Sequence, residues 1–482
     1  SWRKIPVTNL GLAPRSFVND IKADLFDANT VYVALDNHKE GDYNPYLFKS
    51  TDRGLTWKSI SSNIPKRTLI WRMVQDHVEK NLLFAATEFG IYTSLNGGKS
   101  WQKLDGSPTI SFRDLTIQKR ENDLVAASFG RGFFILDDYS ALREFTEENL
   151  NKKGKLFKPR TAKWFVPRSN IGNTGSDYYF ADNPTYGAVF TYHLSDDYKT
   201  KREIRRDKEI ELNKRKSNIP FPGWENLDKE RGEDPAHVVL TIQDTSGKVI
   251  NKISKKARKG SNRISWDFTH FNPYAVSSES PRYNYSGALA KPGTYKASLS
   301  LVQNGNVTTL DGPISFEIKA IREGILNGIG FEEYNRYLKQ ISKLYNDISA
   351  VEDVFEESLK MQKAMANALK KTKIFPGVIE AKIAILKEDL DKINLSLNGS
   401  PSRSEVGERN PADLNDYLYN ASSGLRNSYG PTPLHAKSLE MAKQLLSELK
   451  TEVIKISKTK IPEIQRMLKE ADAPYIIGQG IE

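Results

Sequence analysis

The sequence predicts a multidomain β plus α protein, β-rich up to about residue 320 and helical from there onwards. Three observations predict this fold class. A stretch of eight residues recurs 44 positions later, short alternating apolar runs fill the first two thirds, and apolar residues return every three or four positions in the last third. The 482 residues are enough for about three domains of ordinary size.

The internal repeat consists of two octets, residues 50–57 and 94–101. An Asp or Asn side chain can hydrogen-bond the amides of its own turn, a glycine accepts positive φ, and a tryptophan packs beneath. Each octet is therefore expected to be a structural turn between two strands that touches no substrate. The repeated residues are Ser50, Asp52, Gly54, Thr56 and Trp57, and then Ser94, Asn96, Gly98, Ser100 and Trp101.

The octet pattern resembles the Asp-box, or bacterial neuraminidase repeat (BNR), of sialidase-like and sortilin-type β-propellers. Two copies in register, each after an alternating strand, indicate four-stranded blades. Similar runs recur to about residue 146, so residues 1–146 are expected to hold about three blades, with a decayed box at Asp137. Ser1 and Trp2 match the end of a further octet. Because propellers close with about four to eight blades, we expect the others to come from an N-terminal portion missing from this sequence, or from another chain.

A second β domain is expected after a connector at residues 147–182. Alternating runs between residues 183 and 320, with hairpin turn signals at residues 244–247 and 303–306, predict a β-sandwich. A charged insertion at residues 196–233 interrupts the sandwich. We expect this insertion to be a solvated surface excursion rather than an anion-binding tail.

A C-terminal helical bundle is expected over residues 321–482. Apolar residues recur at helical spacing in three stretches, which begin near Phe331, Ile383 and Leu439. Two helix starts are predicted at Pro411 and Pro433, because a capping residue precedes each proline. Such apolar stripes are typical of core packing rather than of a cofactor site.

Taken together, the segments resemble the C-terminal half of bacterial sortilin/Vps10-like, neuraminidase-repeat proteins, which are often named glycosyl hydrolases and occur in Bacteroidetes. Besides the octets, the resemblance is carried by residues 128–138, 183–189, 262–267, 291–295 and 471–475. Residues 262–267 and 291–295 look like strand signatures of the family's Ig-like domain. The resemblance covers nearly the whole chain and implies a secreted, periplasmic or cell-surface protein associated with the outer membrane.

Composition excludes several classes of site. The net charge is +11, but the basic residues are interspersed with acidic ones and no nucleic-acid motif accompanies them, so no nucleic-acid partner is expected. The absence of cysteine excludes disulfides and cysteine-bound metals. The six histidines show no metal-ligand spacing, and no phosphate-binding glycine loop occurs, so neither a metal nor a cofactor is expected.

Topology predicts where a ligand would bind. If each octet joins the third and fourth strands of a blade, the opposite edge carries the other turns and the starts of the innermost strands. Arg72 and Arg113 repeat 41 positions apart and can both point at the central channel, where arginine binds carboxylates. Alternatively, these arginines form ion pairs between blades with residues such as Asp76 and Asp114. The candidate ligand-binding residues are Arg72, Glu88, Arg113, Arg131, His38 and Asp42.

Every strong motif is architectural, so no catalytic residue is assigned. The leading hypothesis is a secreted or envelope β-propeller protein that binds a polypeptide or glycan without catalysis. One alternative is a sialidase-like glycoside hydrolase, which needs clustered arginines, a Tyr/Glu pair and an aspartate from several blades. Another is an accessory subunit of an outer-membrane assembly.

Overall fold

A computed structural model of the chain describes residues 4–167, 181–273, 275–276, 287–322, 324 and 328–479. The octet end expected at Ser1 and Trp2 lies outside the described residues. The chain divides into two compact units. Unit 1 comprises residues 1–162, 178–267 and 294–317, and unit 2 comprises residues 163–177, 268–293 and 318–482. Both β structure and long helices are present, as the predicted β plus α class requires.

Three antiparallel sheets follow one another at the start of unit 1, and within each sheet consecutive strands are neighbours. The first two have four strands and the third has three. The central strands are almost wholly apolar because both of their faces are buried. The strands are β1 (Phe17–Ala23), β2 (Val31–Asn37), β3 (Asp42–Ser50), β4 (Lys58–Ser59), β5 (Ile70–Gln75), β6 (Leu83–Thr87), β7 (Gly90–Ser94), β8 (Gln102–Lys103), β9 (Phe112–Gln118), β10 (Asp123–Ser128) and β11 (Phe133–Leu136).

The three sheets stack face to face around two apolar cores. The first core, between the first and second sheets, includes Tyr32, Ile70 and Trp101. The second core, between the second and third sheets, includes Phe84 and Phe112. Burial of these large side chains is the main force that holds the stack together.

The first octet forms the turn between β3 and β4. The Ser50 hydroxyl donates to Asp52 Oδ1 at 2.7 Å and accepts the Gly54 amide at 2.8 Å. The Thr56 hydroxyl donates to Asp52 Oδ2 at 2.6 Å. Gly54 has a φ of 80°, which a side chain would disfavour.

The second octet forms the same turn between β7 and β8. The Ser94 hydroxyl donates to Asn96 at 3.0 Å and accepts the Gly98 amide at 2.9 Å, while the Asn96 amide donates to Ser100 at 2.8 Å. Trp101 is buried, and its Nε1 donates to the Ile60 carbonyl at 2.6 Å. The two octets therefore adopt one hydrogen-bonding pattern, and the second also ties the first two sheets together.

Two further sheets, most of whose residues belong to unit 1, pack through aromatic side chains. Phe190 lies 4.9 Å from Phe316, and Trp266 lies 5.3 Å from Tyr295, between ring centroids. One sheet has the strand order β12, β14, β17, and the other β13, β19, β18, β15, β16. Their strands are β12 (Gly154–Leu156), β13 (Ala162–Trp164), β14 (Ala188–Leu194), β15 (His237–Gln243), β16 (Val249–Lys256), β17 (Gly260–Trp266), β18 (Gly293–Gln303) and β19 (Asn306–Ala320).

The charged insertion is helical, which the sequence analysis did not predict. After the short α1 (Glu147–Asn151), it contains α2 (Lys201–Lys214) and α3 (Trp224–Arg231). Neither α2 nor α3 buries a residue, so apolar periodicity could not reveal them. The Arg205 guanidinium instead joins the two helices through Glu230, at 2.8 Å.

Unit 2 is mainly helical, with one extended core that includes Tyr334, Leu386 and Leu446. The Tyr337 hydroxyl lies 3.0 Å from the carbonyls of both Ala421 and His435. The helices are α4 (Phe331–Leu369), α5 (Val378–Asn398), α6 (Pro401–Glu405), α7 (Leu414–Ser423), α8 (Pro433–Lys455) and α9 (Ile461–Glu470), with a π-helical turn (Ile456–Lys460) between α8 and α9. Within the described residues, no helix combines the length and the apolar character that crossing a bilayer requires.

One expected helix start is wrong and one is confirmed. Helix α8 begins at Pro433, as expected. Helix α7 begins at Leu414 rather than at Pro411, because the Asp413 side chain accepts the amide of Asp416 and caps the helix there.

Candidate functional site

The edge of the first three sheets opposite the two octets is here called the upper edge. In an antiparallel meander, the turn between second and third strands lies at the same edge as the start of the first strand. The upper edge therefore holds the beginnings of β1, β5 and β9 and the turns β2–β3, β6–β7 and β10–β11. Sequence reasoning placed its candidate residues at this edge.

Trp71, at the start of β5, is the centre of a cluster at the upper edge. Its buried indole donates from Nε1 to Glu88 Oε2 at 2.9 Å. The guanidinium carbon of Arg113 lies 3.6 Å from the centroid of the indole ring, and the His38 ring meets that indole edge-on at 6.0 Å. The structure thus brings three predicted residues together around one tryptophan.

Glu88, in the turn between β6 and β7, is held by several donors. Besides Trp71, the Ser111 hydroxyl donates to its Oε2 at 3.0 Å. Arg113 Nη2 lies 3.9 Å from the same oxygen. The carboxylate therefore fixes the positions of Trp71 and Arg113.

Arg113 is stacked between two aromatic rings. Its guanidinium lies 3.6 Å from the Trp71 ring and 5.1 Å from the Phe129 ring, and its Nε donates to Ser111 at 3.1 Å. The side chain is 40% exposed, and among the described residues its Nη1 has no hydrogen-bond partner. Phe129 itself is 72% exposed. A stacked, half-exposed guanidinium with free donors is suited to an anionic group.

Arg72 forms ion pairs between sheets, which is the alternative that the sequence analysis left open. Its Nη1 lies 3.1 Å from Asp20 on the first sheet, and its Nε lies 3.1 Å from Asp114 on the third. Asp20 also accepts the Met73 amide at 3.1 Å. Arg72 therefore joins three sheets and is neutralised by two carboxylates. The suggested partner Asp76 pairs with Arg143 instead.

His38 also makes a contact outside the Trp71 cluster, and Asp42 and Arg131 lie near this edge without belonging to that cluster. His38 hydrogen-bonds through Nδ1 to Asp36. Asp42 accepts from the Tyr46 hydroxyl at 2.6 Å; burial opposes its ionisation, but this and further hydrogen bonds lower the pKa of the Asp42 carboxyl. Arg131 is exposed, and among the described residues no hydrogen bond or ion pair joins it to the Trp71 cluster.

Sequence reasoning missed Trp71, Ser111 and Phe129. A signal for Trp71 was present, because an aromatic residue directly precedes both repeated arginines, as Trp71-Arg72 and Phe112-Arg113. Ser111 and Phe129 carry no such signal, since both lie in turns whose contacts depend on neighbouring sheets.

Exposed aromatic rings come to the upper edge from each of the three sheets. Phe17 and Tyr43 belong to the first sheet, Phe89 to the second and Phe129 to the third. Lys39 lies 4.1 Å from the Phe17 ring centroid. Rings of this kind stack on sugar faces or pack on apolar side chains. Among the described residues, no group of three His, Asp or Glu side chains is arranged to hold a metal ion.

Comparison with known proteins gives weak structural similarity only. No family model matches the chain, and no curated protein matches its sequence. The chain is similar to an ancestral GH74 enzyme (23% identity, TM-score 0.20), over 28% of this chain and 16% of that one. It is also similar to a Niastella koreensis GH74 enzyme (16%, TM-score 0.23), over 37% and 28% of the two chains.

A third similar structure is the extracellular domain of a proposed one-component system from B. thetaiotaomicron. The identity is 14% and the TM-score 0.20, over 63% of this chain and 31% of that one. This chain thus spans between about a sixth and a third of the length of these three structures.

Proposed function

We propose that the three N-terminal sheets are consecutive blades of an Asp-box β-propeller, followed by an Ig-like sandwich, in a secreted or envelope protein. Its upper edge binds an acidic polypeptide or glycan and does not cleave it. The proposal is supported by two octets with one hydrogen-bonding pattern, each between the third and fourth strands of its sheet.

The Arg113 stack is the observation that carries the binding function. The aromatic rings hold the guanidinium in place, Glu88 and Ser111 orient it, and Nη1 is left for a ligand. A ligand carboxylate that reaches Nη1 gains a charge-assisted hydrogen bond beside apolar rings, where water competes less. Exposed Phe89 and Phe129 then provide stacking surface for the rest of the ligand.

The three carboxylates that contact Arg72, Trp71 and Arg113 favour binding over catalysis. A glycosidase needs one carboxyl to give a proton and another to attack or to activate water. Here Asp20 and Asp114 are both engaged by Arg72, and Glu88 accepts from Trp71 and Ser111. These carboxylates hold the site together, so we do not assign them to proton transfer.

The outer faces of the stack support the expectation of further blades. On the first sheet, Val18 and Ile21 are exposed on the face away from the second sheet. On the third sheet, Phe133 is 77% exposed and shares the outward face with Ile135. Apolar faces of this kind are covered in a closed propeller, and we propose that further sheets of the same type cover them.

The test uses model acidic ligands, polyglutamate and polygalacturonate, with neutral dextran for comparison. Isothermal titration calorimetry at low salt measures their binding to the whole chain and to Arg113→Gln. We expect at least one acidic polymer to bind, and R113Q to weaken that binding roughly tenfold. Arg120→Gln is the matched control, because Arg120 is an exposed arginine in the turn between β9 and β10 at the opposite edge.

Equal loss of affinity in R113Q and R120Q would show that binding follows net charge and would refute a site at Arg113. Failure of both acidic polymers to bind would also count against it. Release of reducing ends from polygalacturonate, abolished by Glu88→Gln, would replace the binding function with the rival glycoside hydrolase.

A further inference from the structure

Two connections between helices, in different units of the chain, share one sequence pattern. Three basic residues within four positions are followed by an isoleucine, then by Phe-Pro-Gly, then by a large apolar residue that begins the next helix. The first tip, residues 214–224, joins α2 to α3, and the second tip, residues 370–378, joins α4 to α5. The glycine is the residue that precedes the helix in both cases.

The first tip presents its apolar side chains to solvent. Trp224 is 75% exposed, and it forms an edge-to-face pair with the exposed ring of Phe221, at 5.0 Å between centroids. Ile219 is exposed beside them. Because α2 and α3 bury no residue, these rings are not the margin of a core.

The second tip repeats this arrangement in unit 2. Phe375 is 95% exposed, and Ile374 and Val378 on either side of it are exposed too. The Gly377 amide donates to Glu380 Oε2 at 2.7 Å, which fixes the start of α5 directly after the ring. An exposed phenylalanine gains no free energy from burial until a partner covers it, and a group of exposed apolar residues is typical of an interaction site.

Both tips are purely cationic. Neither contains an acidic residue. Lys214 pairs with Glu211 at 3.1 Å, outside the first tip. Within the described part of the chain, the other five basic residues make no ion pair. These are Arg215, Lys216, Lys370, Lys371 and Lys373.

We propose that each tip docks into the surface of a lipid bilayer that contains anionic headgroups. The exposed rings and isoleucines enter the boundary between headgroups and acyl chains, while the flanking lysines and Arg215 remain with the phosphates. Each tip combines exposed apolar residues with three cations and contains no acidic residue, which matches a negative, partly apolar surface. The prolines keep the turns rigid, so little entropy is lost on docking.

The first experiment measures flotation of the whole chain with lipid vesicles. Vesicles of phosphatidylcholine mixed with phosphatidylglycerol are compared with vesicles of phosphatidylcholine alone. We expect binding only to the anionic vesicles, weakened by added salt. Neutralising one tip with K370Q, K371Q and K373Q is expected to lower the partition coefficient of a chain that binds mainly through that tip roughly 100-fold, since each lysine contributes about a factor of five.

The matched control removes the same charge elsewhere. Lys437, Lys450 and Lys455 are exposed lysines of α8, and K437Q, K450Q and K455Q together give the same net charge as the tip variant. We expect this control to bind anionic vesicles nearly as well as the unmodified chain. The apolar variants W224S with F221S, and F375S with I374S, are expected to reduce binding while leaving the charge unchanged.

The second experiment uses the absence of cysteine from the chain. W224C or F375C is labelled with a polarity-sensitive fluorophore, and S447C, at an exposed position of α8, serves as the reference. We expect anionic vesicles to shift the emission of the two tip labels to shorter wavelength and to leave the Ser447 label unchanged.

Three results would overturn the proposal. The unmodified chain fails to float with anionic vesicles, or the tip and α8 triple variants bind equally, or the tip labels do not change. If light scattering instead shows that the chain is a dimer and that W224S or F375S makes it monomeric, the tips bind a second copy and not a lipid surface.

Discussion

Asp76 is the residue whose replacement most directly tests how the sheet stack is held together. It is fully buried at the end of β5. Tyr139 donates to it at 2.7 Å, and Arg143 Nη2 and Nε donate at 2.8 and 2.9 Å. Backbone amides of Val78 and Glu79 complete the set. These hydrogen bonds join the second sheet to the segment that follows the third sheet, which contains Tyr139 and Arg143.

The expected loss in the free energy of unfolding follows from the pKa of the Asp76 carboxyl. Burial opposes ionisation, but the hydrogen bonds from Arg143, from the Glu79 amide and from Tyr139 outweigh it and lower the pKa of Asp76 to about 2, from 3.8. A shift of this size corresponds to about 2 kcal/mol of stability at neutral pH. Asp76→Asn also leaves Arg143 without a charged partner, so we expect a total loss of about 3 kcal/mol.

The two units allow a specific assay. Trp57, Trp71, Trp101, Trp224 and Trp266 lie in unit 1, and of the described tryptophans only Trp164 lies in unit 2. Tryptophan fluorescence therefore follows unit 1, whereas far-ultraviolet circular dichroism follows mainly the helices of unit 2. In urea, D76N is expected to lower the midpoint of the fluorescence transition by roughly 1 M and to leave the helical transition in place.

The pH dependence of the stability difference between the unmodified chain and D76N tests this reasoning. Because the folded pKa of Asp76 is depressed, its contribution is complete above the unfolded value of 3.8 and is lost as the pH falls to about 2. The difference between the unmodified chain and D76N should therefore shrink across that range. A difference that is absent at neutral pH, or that equals the effect of D105N at an exposed aspartate, would refute the reasoning.

Two further predictions concern one turn and one helix contact. Asp52→Ala should lower the urea midpoint of the fluorescence transition more than Asn96→Ala does, since Asp52 accepts hydrogen bonds from Thr56, Ser50 and Leu55, which lower its pKa to about 2. The difference between the two variants' midpoints should disappear as the pH falls from 3.8 to about 2. Equal midpoints at neutral pH would contradict this prediction. Tyr337→Phe removes the hydroxyl shared by Ala421 and His435 and should cost about 1 kcal/mol in the helical transition alone; a shift in the fluorescence transition instead would contradict it.

The sequence predicts those parts of the fold in which local pattern and tertiary burial agree. Strands β2 and β6 are apolar runs between turn residues, and the apolar stripes that begin near Ile383 and Leu439 are buried as expected. Helix α2 could not be predicted in this way, because it buries nothing. It depends on a capping box between Thr200 and Glu203 and on the ion pairs of Arg205.

The candidate site was predictable in position but not in detail. Spacing and topology are enough to place Arg72, Arg113 and Glu88 at one edge. They are not enough to distinguish the ion-paired Arg72 from the stacked Arg113, because residue spacing does not predict the distances to Asp20, Asp114 and Trp71. Those distances depend on how neighbouring sheets pack, which is a property of the tertiary structure and not of residue spacing.

The two arginines occupy equivalent positions, yet their partners explain why only one is free for a ligand. Arg72 has a sheet on each side and takes one carboxylate from each, Asp20 and Asp114. Arg113 turns back onto Trp71 of the preceding sheet and is oriented by Glu88. If a further sheet packs on the third and brings its own carboxylate, Arg113 must leave the Trp71 ring to reach it, which forfeits about 1 kcal/mol or more of cation–π attraction. The contact with Trp71 therefore opposes such a movement of Arg113, so the proposed binding role is compatible with the further blades that we propose.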